Sequence, residues 1–119
     1  TENVSAGYLS MDANTTGNYN VAYGVNALGG NTTANYNTAI GTQAMIANTT
    51  GADNVAVGAF ALDANTTAAS SVAVGYGALS AATTGGFNTA LGYNALLLQV
   101  VIIYYLGITL VIQEVQVEL

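Results

Sequence analysis

The chain has 119 residues, a net charge of −6 at pH 7 and no Lys, Arg or His, so it fits one domain and carries no cation to neutralise phosphates. Nucleic acid and anionic membrane surfaces are thereby excluded as charge-driven partners. The absence of Cys as well as His removes disulfide frameworks and zinc or redox sites, and leaves the compartment open.

At Thr1 no basic segment precedes an apolar run, so any signal peptide is expected either to have been removed already or to lie outside these residues. The total lack of Lys and Arg suggests a processed fragment, or a sequence inferred partly from something other than a gene. Asn3-Val4-Ser5-Ala6-Gly7-Tyr8 is a degraded first copy of a unit that then runs five times without insertion, over 14–30, 31–47, 48–64, 65–81 and 82–98. Counted from the Asn of Asn-Thr-Thr, the second and third positions are Thr in every full copy, the ninth is Ala, and the fifteenth is Leu or Met. A 17-residue period is too short for helix pairs and too long for heptads, but it suits one coil of a β-solenoid. The expected fold is all-β: a parallel β-solenoid (β-roll or β-helix) of about six coils over 1–98, followed by an apolar β extension over 99–119.

Within a unit, Val55-Ala56-Val57 reads as a short strand. The glycine that follows, at Gly7, Gly24, Gly41, Gly58, Gly75 and Gly92, reads as a coil corner where only glycine avoids a steric cost. Ala61-Leu62 is expected to form a second short strand, and Asn48-Thr49-Thr50-Gly51 a polar turn. Strand alternation sends positions eight and ten to one face and position nine to the other. The first set (Val21 and Tyr23, Thr38 and Ile40, Val55 and Val57, Val72 and Val74, Thr89 and Leu91), with the Leu/Met row, is the expected core. The ninth-position row, Ala22, Ala39, Ala56, Ala73 and Ala90, is then expected to face outward and pack against another chain. The alternative is drift within recent duplications. Six coils at about 4.8 Å make a rod roughly 29 Å long, whose open ends have neither proline nor lysine to block association.

From Leu97 the repeat gives way to a nearly continuous apolar run through Ile112, then to alternation over 113–119. The run falls short of the ~20 residues of a membrane helix, lacks flanking cations and is rich in β-branched residues, which argues against a span. As one extended segment, 97–119 would reach roughly 75 Å; bent at Gly107, it would form two arms of roughly 35 Å. Either form needs cover on both faces, so Val100, Ile102, Tyr104, Ile108, Val115 and Val117 are expected to join protomers.

Catalysis needs a base, a nucleophile or a metal, and the chain offers no His, Cys or Lys to tune. Ser70 and Ser71 have no base partner. Asp12 and Asp63 share the sixteenth position but sit three coils apart, about 14 Å, too far for a glycosidase pair. No catalytic, metal or cofactor site is expected, and the acids read as solvated turns. Asn3, Asn14, Asn31, Asn48 and Asn65 match the N-glycosylation acceptor; the favoured reading is instead turn chemistry, with side-chain hydrogen bonds running along a ladder. Stacked Thr rows suggest ice binding, although adjacent Thr would point to opposite sides. Tyr19 with Tyr36, and Tyr76 with Tyr93, align in rows suited to sugar rings or, more commonly, to lateral packing.

Asn37-Thr38-Ala39-Ile40-Gly41, Asn54-Val55-Ala56-Val57-Gly58 and Asn88-Thr89-Ala90-Leu91-Gly92-Tyr93-Asn94-Ala95-Leu96 resemble the head repeats of trimeric autotransporter adhesins. They look still more like the longer Asn-Thr-Ala-x-Gly repeats of phage tail fibres and bacterial surface fibre proteins. The resemblance covers about 3–98 and implies a parallel β-roll or β-helix, often trimeric, on the outside of a cell or virion. These residues differ from the adhesins in their longer period and include no heptad stalk, membrane-anchor barrel or tail-fibre chaperone domain. The expected function is a non-enzymatic structural subunit of an extracellular homopolymeric fibre that associates with itself. The rivals are a carbohydrate-binding adhesin with surface glycans as partners and, third, an ice-binding solenoid.

Overall fold

A computed structural model of the protein describes residues 2–95, 100–105 and 108–113. Six three-residue strands, β1 (Val4–Ala6), β2 (Val21–Tyr23), β3 (Thr38–Ile40), β4 (Val55–Val57), β5 (Val72–Val74) and β6 (Thr89–Leu91), form one sheet in sequence order. Every neighbouring pair is parallel and in register one repeat apart, so that Ala22 pairs Ala39, Ala39 pairs Ala56 and Ala56 pairs Ala73. The protein is a parallel β-solenoid, and each 17-residue unit is one coil.

Each coil has one strand. The second strand expected at Ala61-Leu62 does not form; that stretch consists of overlapping turns. Ala61 N–H donates to Gly58 O (3.2 Å) and Asn65 N–H to Leu62 O (3.1 Å), with Phe60 and Leu62 in the left-handed region at φ 59° and 50°. A left-handed residue at the third place of a four-residue turn is the type II pattern, which normally selects glycine or asparagine. Here the position recurs as Asn26, Gln43, Phe60, Gly77 and Asn94. Each non-glycine costs about 1 kcal/mol or more, and the ladder between coils offsets it: Leu62 N–H, for example, donates to Ala78 O at 2.9 Å.

The interior corrects the expected polarity of the strand. Ala22, Ala39, Ala56 and Ala73 are fully buried and Ala90 almost so, together with Leu28, Met45, Leu62 and Leu79 and a second alanine row, Ala27, Ala44, Ala61 and Ala78. The Leu/Met row is therefore core, but positions eight and ten are not. In β2 to β6 the middle residue points inward, and opposite it the Leu or Met already fills the narrow lumen, leaving room for a methyl group.

Beyond the coils, β7 (Val100–Tyr105) and β8 (Ile108–Gln113) pair antiparallel, from Val100 opposite Gln113 to Tyr105 opposite Ile108. Of the two forms open to this segment, an extended strand and a bent hairpin, the pairing is that of a hairpin.

Candidate assembly surface

Reversing the strand moves the large apolar residues to the outside. Tyr23, Ile40, Val72 and Leu91 are exposed, whereas Val55 and Val57 are half-buried. Past the corner glycine, Tyr8, Val25, Tyr76 and Tyr93 are exposed as well. The outward strand positions and these residues include no charged side chain. The Ala row expected to meet a second chain is sealed inside its own coil and cannot do so. The missed signal was variability: Val, Thr, Tyr, Ile and Leu alternate at positions eight and ten as a surface permits, while one small residue persists where volume is limited.

The corner glycines hold φ between 128° (Gly92) and 138° (Gly7). Gly7, Gly24, Gly41, Gly58 and Gly75 also lie against the next coil: a Cβ on Gly41 would sit 2.6 Å from the carbonyl of Gly58. Both the backbone angle and the lack of space demand glycine at these five positions, and the backbone angle alone favours it at Gly92.

Two asparagine ladders supply the polar side of each coil. At the seventh position, Asn37 N–H donates to Asn20 Oδ1 (2.9 Å), Asn54 N–H to Asn37 Oδ1 (3.0 Å) and Ser71 N–H to Asn54 Oδ1 (2.9 Å). The amide nitrogens reach the next coil's carbonyls, as from Asn37 Nδ2 to Gly51 O at 2.9 Å. At the first position, Asn31 Nδ2 donates to Asn14 Oδ1 (2.8 Å), Asn48 Nδ2 to Asn31 Oδ1 (3.2 Å) and Asn65 Nδ2 to Asn48 Oδ1 (2.9 Å). This corrects the glycosylation candidates, because Asn31, Asn48 and Asn65 are fully buried and the nitrogen that would carry the glycan is engaged. Asn3 and Asn14 are half-buried, with Nδ2 of each donating to Gly17 O.

The two Thr rows differ. Thr15, Thr32, Thr49 and Thr66 each donate Oγ1–H to the carbonyl of the Thr one coil on, at 2.8–3.1 Å, so those hydroxyl protons serve the ladder and not solvent. Thr16, Thr33, Thr50, Thr67 and Thr84 form a single exposed column. Tyr19 and Tyr36 stack at 4.9 Å and 4°, Tyr76 and Tyr93 at 5.4 Å and 14°, and Phe60 meets Tyr76 edge-on at 5.5 Å. Stacking covers one face of each ring with its neighbour.

Among the acids, Asp12 and Asp53 are exposed and Asp63 is partly buried. Burial pushes the Asp63 carboxyl above its ordinary value despite backbone hydrogen bonds at Ala64 and Asp63 itself that favour the ionised form. A hydrogen bond to Glu2, the neighbouring Tyr36 and partial desolvation raise the Tyr19 phenol. No group of three potential metal ligands occurs among the described residues. In the tail, Val100, Ile102 and Tyr104 fall on β7 and Ile108 on β8, while Val115 and Val117 lie outside the described residues. Comparison with protein-family models, curated proteins and solved structures finds no match to this chain.

Proposed function

We propose that this chain is a structural, non-catalytic subunit of an extracellular homopolymeric fibre. Its coils form a shaft element, and 99–119 join protomers. The reading rests chiefly on the outward strand face, where Tyr23, Ile40, Val72 and Leu91 are exposed in columns free of charge. Such a face is stabilised when covered, at roughly 25 cal/mol per Å² of apolar surface removed from water.

Its period favours a second copy as the cover. Side chains repeating about every 4.8 Å along the axis interdigitate best with columns of the same spacing. A face about 29 Å long on a three-residue strand falls short of the ~800 Å² per partner of a standard interface. That favours more than two copies, or continuation end to end through the open edges of β1 and β6. Sedimentation velocity and electron microscopy test the reading. The wild-type chain should form oligomers or filaments. The pair Ile40→Lys and Val57→Lys should yield monomers that keep their β circular dichroism, whereas Thr50→Lys should still assemble. A wild-type chain that stays monomeric at high concentration overturns the proposal.

A further inference from the structure

Tyr19 and Tyr36 occupy the same place in successive coils and share one backbone conformation, φ 60° and 59°. Their side chains therefore leave the chain in parallel, and the rings stack at 4.9 Å and 4°. Tyr36 N–H donates to Asn18 O and Tyr19 N–H to Glu2 O, at 3.2 and 3.1 Å, which fixes the pair to adjacent rungs. Both rings are open to solvent, at 51 % and 58 % exposure. Glu2, whose backbone carbonyl accepts from Tyr19 N–H, sits on the neighbouring rung, and its carboxylate raises the Tyr19 phenol.

We propose that the stacked Tyr19 and Tyr36, with Glu2 as proton acceptor, form an oxidative cross-linking site. Here a one-electron oxidant of the peroxidase and hydrogen peroxide class joins the two rings as dityrosine. Each phenol gives up one electron and its hydroxyl proton, the latter from Tyr19 to Glu2 and from Tyr36 to water. The two phenoxyl radicals couple through the ring carbons next to oxygen, forming one carbon–carbon bond. The hydrogens on those carbons then move to the oxygens and restore both phenols. In all, two electrons and two protons reduce one hydrogen peroxide to two waters. Neither ring is packed in, so rotation about the side-chain bonds can close the remaining gap. Holding the partners on adjacent rungs replaces a bimolecular encounter with a local one. The product is a covalent staple between successive coils, and it does not depend on the fibre reading.

The test treats the full chain at low concentration with a peroxidase and limiting hydrogen peroxide, and reads dityrosine fluorescence, intact mass and peptic peptides. The first product should be a monomer lighter by two hydrogen atoms, with Tyr19 joined to Tyr36, formed about tenfold faster than any cross-link from Tyr8 or Tyr23. Those two residues are as exposed, at 73 % and 63 %, but join no ring stack among the described residues. Tyr36→Phe keeps an aromatic stack and should lose this product. Glu2→Gln should slow it several-fold while leaving any Tyr76–Tyr93 product unchanged. The site is overturned if the early cross-links are intermolecular, if Tyr8 or Tyr23 reacts first, or if Tyr36→Phe leaves the early yield intact. An unchanged rate in Glu2→Gln overturns the role given to the carboxylate.

Discussion

Asn65 ends a ladder because Ala82 stands above it. In each earlier coil the Oδ1 of the first-position asparagine accepts from the amide of the asparagine one coil on, as Asn48 Oδ1 does from Asn65 Nδ2 at 2.9 Å. At residue 82 that donor is missing, and Asn65 Oδ1 is left buried without a partner. Replacing Ala82→Asn restores the donor and is expected to stabilise the chain by about 1 kcal/mol. Thermal melts compared with Ala82→Ser, which is too short to reach, check this; equal melting temperatures would speak against the ladder.

Inside and outside of the strand can be told apart by paired substitutions on neighbouring residues. Ala56→Val adds two methyl groups to a sealed lumen and should cost about 1–3 kcal/mol. Val57→Thr, on the outer face, should change monomer stability by no more than about 0.5 kcal/mol. Urea titrations measure both, and the opposite ranking would restore the polarity expected from residue size alone.

Gly58 and Gly85 predict opposite responses to one methyl group. On Gly58, at φ 131°, a Cβ would sit 2.5 Å from the Gly75 carbonyl oxygen, and Gly58→Ala should cost about 3 kcal/mol or more. On Gly85 the same Cβ meets only Asn88 Nδ2, at 3.8 Å. Gly85→Ala should be neutral or stabilising by up to about 1 kcal/mol, through the unfolded chain. Denaturant midpoints for the two variants decide it.

Asp63 makes stability depend on pH in a defined direction. Burial raises its carboxyl in the folded state, and Oδ1 has no hydrogen-bond partner, so the folded state holds the proton more tightly than the unfolded state does. Its contribution is therefore most favourable below the ordinary carboxylate value of about 3.9 and is lost as pH rises through the elevated folded value. Asp63→Asn should raise the melting temperature near neutral pH, and the gain should vanish in acid below that range. A gain of equal size at both pH values would assign the effect to something other than ionisation.

Much of this molecule could be read from residue order alone. The 17-residue period, the strand at Val55-Ala56-Val57, the Leu/Met row and the parallel solenoid all follow from spacing, because a repeat that short must stack on its own copies. The hairpin was one of two forms open to the tail, and pairing between β7 and β8 selects it. Which way the strand faces was not legible. Period-two alternation says that Ala56 and Val57 oppose each other without saying which is inside, and hydrophobicity favoured the larger residue. Only closure of the coil decides, since a lumen already holding Leu62 admits a methyl group and no more. The same closure buries the asparagine rungs, whose ladder was the reading favoured over glycan acceptors, and leaves Tyr23, Ile40 and Leu91 outside.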